Sequence, residues 1–149
     1  MRQGACLSVV ILDVDHFRTF NEREGHLAGD ACLRRIASAL DGVPRRMADL
    51  LARMGGNQFA CLMPWTGLEE ARRVAGTLWG AVEALAIPHP DSPLGGRITA
   101  TLGVACRRPE RGEEPGAILA AAGRFLEQAK RAGRNRIAFE AEPEHALPD

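Results

Sequence analysis

Alternating apolar and polar blocks divide the chain into nine predicted elements. The first block, from Leu7 to Leu12, is rich in β-branched residues and predicts a central strand buried on both faces. Four later apolar blocks predict further strands: 50–54, 59–63, 97–105 and 136–139. In the block 97–105, apolar residues from Ile98 onwards occupy every second position, and Thr99 and Thr101 lie between them. This alternation is typical of a half-buried strand with its threonines on the polar side.

Four segments carry the 3.6-residue apolar period of amphipathic helices. They are predicted at 16–24, from Gly29 and Asp30 to about Asp41, at 68–85 and at 117–132. The resulting order is β-α-α-β-β-α-β-α-β, with a hairpin at Gly55-Gly56 in its middle. A hairpin excludes a purely parallel sheet, so the fold class is α+β, with a mixed or antiparallel five-stranded sheet flanked by helices.

Size and charge limit what such a chain can do. The 149 residues, 16.1 kDa, suit one domain, predicted over 1–139, with an acidic tail or linker at 140–149. Nineteen basic and nineteen acidic residues cancel, which argues against binding a nucleic acid polymer. No apolar run is long enough for a membrane span. Four scattered cysteines predict reduced thiols and a cytoplasmic location.

Four motifs follow one another at set intervals: Asp13-Val-Asp-His-Phe-Arg-Thr-Phe-Asn21, Gly25-His-Leu-Ala-Gly-Asp30, Arg53-Met-Gly-Gly-Asn-Gln-Phe59 and Ala129-Lys-Arg-Ala-Gly-Arg-Asn-Arg136. Together they resemble the bacterial GGDEF domain, the diguanylate cyclase module, from about Leu7 to Phe139. The resemblance implies a palm-like fold. It also implies a reaction in which two facing domains, each holding one GTP, join their nucleotides into cyclic di-GMP. The chain begins at the first strand, without the helix that usually leads this domain.

The signature turn of the family is altered here. Gly55, Gly56 and Phe59 are kept, but the two acidic positions hold Asn57 and Gln58. By resemblance, Asp13 and the carbonyl of Val14 would bind Mg²⁺ together with those missing carboxylates. Hard Mg²⁺ prefers anionic oxygens, so two lost charges predict a residual, weak metal site. We therefore expect no catalytic residues in this turn, no required cofactor and no cyclase activity.

A nucleotide half-site is nevertheless retained. By resemblance, Asn21 and Asp30 would read the guanine edge, and Arg18, Lys130 and Arg134 would contact the phosphates of GTP. Asp30 also suits a helix N-cap. Lys130 and Arg134 also suit a solvated basic helix end, which the helix dipole favours.

A second motif, Arg46-Met-Ala-Asp49, ends six residues before Gly55. By resemblance, this RxxD stands at the inhibitory site of the family, where arginine and aspartate grip cyclic di-GMP. The alternative is a surface salt bridge ahead of a strand. A further arginine that often completes this site is replaced here by Thr77.

The sequence thus predicts a catalytically inactive GGDEF-type signalling domain that binds cyclic di-GMP through Arg46 and Asp49. One alternative is a non-catalytic regulatory domain that binds GTP, forms a homodimer or contacts a partner signalling domain. The other is a residual diguanylate cyclase, which the retained Asp13 keeps open.

Overall fold

The computed structural model describes residues 6–108 and 116–140. Nine elements follow in the predicted order: β1 Leu7–Val14, α1 Phe17–Glu24, α2 His26–Asp41, β2 Leu50–Gly55, β3 Gln58–Pro64, α3 Leu68–Leu85, β4 Ala100–Arg107, α4 Ala117–Arg131 and β5 Ile137–Phe139. Among these residues, no helix is both long and apolar enough to cross a membrane. The predicted tail, apart from Glu140, lies outside the described residues.

The five strands form one mixed sheet in the order β2-β3-β1-β4-β5. The apolar strand β1 is central and pairs antiparallel with both β3 and β4. The strands β2 and β3 form the predicted hairpin, while β4 and β5 run parallel. The predicted α+β class and mixed sheet are therefore confirmed.

Helices cover both faces of the sheet. On one face, α1, α2 and α3 pack against Val10, Leu12 and Leu102. On the other face, α4 packs against Val9, Ile11 and Ala105. Because residues two apart on β1 point to the same face, Asp13 lies on the α4 side, at the end of the strand.

Two predicted boundaries were wrong. The second helix begins at His26, because Gly25 (φ 95°) ends α1 and is at once the N-cap of α2. Asp30 is therefore inside the helix and exposed, and it is not an N-cap. The fourth strand begins at Ala100, and both faces of its first half are buried, including Thr101.

Candidate functional site

The end of β1 meets the hairpin turn through the side chain of Asn57. Its Nδ2 donates to Asp13 Oδ1 at 2.7 Å and to the carbonyl oxygen of Val14 at 2.8 Å. The backbone joins the same segments, since Val14 N–H donates to the carbonyl of Asn57 at 3.1 Å. Both side-chain partners are oxygens that accept, so the amide presents its nitrogen, with both protons used.

The other oxygen of Asp13 faces the last turn of α4. Lys130 Nζ lies 2.5 Å from Asp13 Oδ2 and 3.5 Å from Glu127 Oε2. The side chains of Lys130 and Asp13 are only 19% and 11% exposed, so solvent screens this pair weakly. The carboxylate of Asp13 thus has a cation on one oxygen and an amide donor on the other.

This arrangement does not fit a resident divalent cation. The two oxygens predicted to ligate Mg²⁺, on Asp13 and Val14, are both held by the amide nitrogen of Asn57. A cation needs those lone pairs, and it is repelled by N–H dipoles. In the part of the chain that the structure describes, no group of three or more His, Cys, Asp or Glu side chains could hold a metal.

Asp15, two residues after Asp13, has a structural role. It is 1% exposed and accepts hydrogen bonds from Thr99 Oγ1 at 2.8 Å and Thr101 Oγ1 at 2.5 Å. It also accepts from the backbone N–H of Asn135 at 3.1 Å. These contacts explain why Thr99 and Thr101 are buried. They also fix the turn after α4, where Arg134 Nη1 lies 3.8 Å from Asp15 Oδ1.

Trp79 reaches the same turn from α3. Its Nε1 donates to Asn135 Oδ1 at 3.0 Å. Arg134 and Asn135 both have positive φ, 65° and 52°, so the turn depends on contacts of this kind for its shape. The indole therefore lies one residue from the predicted phosphate contact Arg134.

The predicted guanine readers lie where α1 and α2 meet. Asn21 packs against Gly29, where a Cβ would lie 1.7 Å from Asn21 Oδ1. That oxygen is buried and has no partner among the described residues. Asp30 is exposed one residue further along α2. The side chain of Arg18 is 91% exposed and pairs with Glu22 at 3.3 Å. It shares no ion-pair partner with Lys130, which contacts Asp13 and Glu127.

Arg46 and Asp49 lie together in the loop between α2 and β2. Asp49 Oδ2 accepts from the backbone N–H of Arg46 at 3.0 Å, and Oδ1 lies 3.7 Å from Arg46 Nη2. The side chain of Arg46 is 50% exposed, whereas that of Asp49 is 3% exposed. The salt bridge named as the alternative is therefore present ahead of β2, between a half-exposed guanidinium and a buried carboxylate.

The guanidinium of Arg46 is occupied by the segment after β3. It donates to the carbonyl of Trp65 at 3.2 Å, and also to the carbonyl of Pro64 and to Thr66 Oγ1. A cavity of about 250 Å³ adjoins this cluster. Its lining includes Arg46, Asp49, Met63, Thr66, Glu70 and Val74.

No further arginine reaches this cavity from α3 among the described side chains that line it. Thr77 donates to the carbonyl of Arg73 at 3.1 Å, and Arg73 pairs with Glu70. Arg72 stacks over the ring of Phe139 at 3.9 Å. The charged residue that α3 contributes to the lining of the cavity is therefore Glu70, which is negative.

Two neighbours of these sites were missed from the sequence. Trp65 was not predicted to lie at this site; it is 65% exposed with φ 55°. Thr66, which touches Arg46, was not predicted, because its role arises from a contact 20 residues away along the chain. No sequence pattern signals such a contact.

The chain matches the family described as "Diguanylate cyclase, GGDEF domain" over residues 1–136. It is 40% identical over 137 residues to the diguanylate cyclase DgcP of Pseudomonas aeruginosa, covering 91% of this chain. It is 34% identical over 140 residues to the response regulator PleD of Caulobacter vibrioides, covering 93% of this chain. The protein therefore belongs to the GGDEF family.

Solved structures agree with this assignment. The diguanylate cyclase SiaD of Pseudomonas aeruginosa, in complex with its activator SiaC, matches with TM-score 0.80 and 33% identity, covering 94% of this chain and 52% of that chain. The GGDEF domain of DgcB from Caulobacter crescentus, in complex with c-di-GMP, matches with TM-score 0.73 and 31% identity, covering 90% and 77%. Of the curated relatives, however, this chain spans only 20% of DgcP and 30% of PleD.

Proposed function

We propose that the protein is a non-catalytic GGDEF domain that binds cyclic di-GMP at the cavity formed by Arg46 and Asp49. The observation that carries the proposal is this pair, a half-exposed guanidinium beside a buried carboxylate, which together line a cavity of about 250 Å³. The known complex of the related DgcB domain with c-di-GMP supports the class of ligand.

The pair has the chemistry to read guanine. A guanidinium can donate to guanine N7 and O6 together, and a carboxylate can accept from its N1 and N2 donors. Asp49 Oδ1 accepts no hydrogen bond among the described residues, but it is buried beside Arg46 Nη2, so it can accept from a ligand only once that guanidinium moves. The guanidinium of Arg46 must first leave the carbonyls of Pro64 and Trp65. That competition, with Glu70 nearby, favours micromolar affinity.

Loss of catalysis follows from the turn. Phosphoryl transfer in this family depends on divalent cations that neutralise charge and position the nucleotides. Here Asn57 and Lys130 take the places around Asp13 that a cation would need. With GTP and either Mg²⁺ or Mn²⁺, we expect no cyclic di-GMP above background by chromatography. Product that Asp13→Asn abolishes would contradict this part of the proposal.

Because the chain has two tryptophans and no tyrosine, ligand binding can be followed by the change in tryptophan fluorescence. Trp65 adjoins Arg46 through its carbonyl, and Trp79 adjoins Arg134 through Asn135. In a cyclic di-GMP titration, Trp79→Phe should retain the fluorescence change and Trp65→Phe should lose it. The opposite pattern would place the ligand in the predicted GTP half-site.

Substitution of the pair tests the contacts directly. Arg46→Ala removes a charge-assisted bidentate contact, which should weaken binding by about tenfold to more than a hundredfold. Asp49→Ala should cost less and should reduce the preference for cyclic di-GMP over cyclic di-AMP. Arg34→Ala is the matched control, because it removes one charge from the exposed side of α2. Equal affinities for the Arg46 and Arg34 variants would refute the assigned site.

A second candidate function, a GTP-binding regulatory domain, is favoured by the half-site. Lys130 lies near the end of β1, and Arg134 lies in the turn after α4, 3.8 Å from Asp15. If the wild-type protein gives no signal with cyclic di-GMP at high micromolar concentration, this second function takes the place of the first. Its homodimer or partner domain would then carry the output.

A further inference from the structure

We propose that the cluster of Asp13, Asn57 and Lys130 is a cation-free anion site, in which Asp13 competes with the nucleotide for Lys130. The ligand class is a nucleoside polyphosphate without a divalent cation. The inference concerns other residues than Arg46 and Asp49, so it stands or falls independently of the proposed receptor function.

The amide group of Asn57 takes the place that a cation would occupy in a metal site. Its two amide protons bind Asp13 Oδ1 at 2.7 Å and the Val14 carbonyl at 2.8 Å, and so hold the strand end and the turn together. In a metal site those oxygens would converge on a cation. The amide satisfies them with no charge, and the site keeps its shape without a cation.

Lys130 supplies the only full positive charge that contacts Asp13 among the described residues. It is also the only lysine of the chain. The charges of Asp13 and Lys130 cancel, so the closed site is neutral. A free polyphosphate carries more negative charge than its magnesium complex, and therefore competes better for the ammonium group of Lys130.

Asp13 then opposes nucleotide binding. The phosphate must draw Lys130 away from a carboxylate 2.5 Å distant, and the carboxylate that remains repels the phosphate. In a cation-dependent site the same carboxylate helps, because it holds the cation that the phosphates bind. Removal of the Asp13 charge therefore has opposite effects in the two kinds of site.

The first test measures GTP binding by calorimetry, in EDTA and in Mg²⁺, for the wild-type protein, Asp13→Asn and Lys130→Gln. We expect the wild type to bind at least as well in EDTA as in Mg²⁺. Asp13→Asn, which keeps an acceptor for Asn57, should bind about threefold to tenfold tighter. Lys130→Gln should lose binding. Weaker binding by Asp13→Asn, stronger wild-type binding in Mg²⁺, or no GTP binding by either protein would overturn the proposal.

The second test needs no nucleotide. Asn57→Asp should create Mn²⁺ binding, and a thermal shift with Mn²⁺, that the wild type lacks. Ser38→Asp is the matched control, because it adds the same charge at an exposed position of α2, away from the end of β1. Micromolar Mn²⁺ binding by the wild type, or equal binding by both variants, would overturn the proposal.

The single lysine provides a direct spectroscopic readout. In protein labelled only at lysine, one side-chain NMR signal reports Lys130. GTP in EDTA should shift this signal in the wild type, and Asp13→Asn should shift it without any ligand, because the ion pair is gone. A signal that GTP leaves unchanged would contradict the exchange of Lys130 from Asp13 to phosphate.

Discussion

At the scale of single residues, Gly29 determines the position of Asn21, one of the two predicted guanine readers. It lies within α2, where glycine costs stability relative to alanine, yet a Cβ there would meet the side chain of Asn21. The glycine is therefore needed for the position of the Asn21 amide and has no role as a break in the helix. Its neighbour along the chain, Asp30, lies on the exposed side.

Gly29→Ala should push Asn21 out of place. We expect GTP affinity to fall by about twofold to tenfold, which is the value of one neutral hydrogen bond. Thermal stability should change little, because the gain in helix propensity offsets the displaced side chain. Calorimetry and thermal unfolding measure the two effects.

Gly76→Ala is the control for Gly29→Ala. Gly76 lies inside α3 and a Cβ there meets nothing within 4 Å. This change should raise the free energy of unfolding by about 0.5–1 kcal/mol and leave GTP affinity unchanged. If both variants behave alike, Asn21 does not depend on Gly29.

Residue types in fixed motifs could be predicted from the sequence, but their partners could not. The loss of charge at Asn57 was evident, whereas its donation to Val14 depends on a contact 43 residues away. Likewise, the carboxylate of Asp15 binds Thr99, Thr101 and Asn135, which meet it only in the folded sheet.

At the scale of elements, the approach of α4 to β4 depends on one glycine. A Cβ at Gly103 would lie 2.3 Å from both the carbonyl oxygen of Ala122 and the backbone nitrogen of Leu126. These are backbone atoms of α4, which cannot move aside singly. Because Gly103 has no side chain, α4, which carries Lys130, can pack this close to the sheet.

Gly103→Ala should force α4 away from the sheet. We expect a loss of about 1–3 kcal/mol in the free energy of unfolding, as for other overpacked cores. Urea denaturation measures it. Gly123→Ala is the control on the same helix, where a Cβ meets nothing within 4 Å, and it should be stabilising. Destabilisation of both variants alike would show that close packing is not the cause.

Element identity was predictable because apolar periods are long in β1, α3 and α4. Boundaries failed where one residue serves two elements. Gly25 ends α1 and starts α2, so the sequence signal at Gly29 was misread as the helix start. In β4, threonines on a polar-looking face are buried because they bind the buried Asp15.

At the scale of the whole molecule, two buried thiols link stability to pH. Burial raises the pKa of Cys32 and of Cys61 from 9.0 to about 11. In the unfolded chain these thiols ionise near pH 9, while in the native protein they stay protonated until about pH 11. The unfolded state therefore releases protons first, and stability must fall as the pH rises between these values.

Below pH 9 we expect these thiols to leave the urea midpoint unchanged. Between pH 9 and about pH 11 they should lower it as the pH rises. The chain has no tyrosine and a single lysine, so few other side chains titrate in this range. A double variant, Cys32→Ala with Cys61→Ala, should show a shallower decrease. An unchanged slope in that variant would assign the pH dependence to other groups.

The central position of β1 has a consequence for synthesis on the ribosome. Val10 pairs with Cys61 on one side and with Val104 on the other, so both partner strands are translated long after it. Pairings between such distant residues are slow to form. Until β4 has left the ribosome, one edge of this apolar strand stays open, and newly made chains are then most exposed to association with one another.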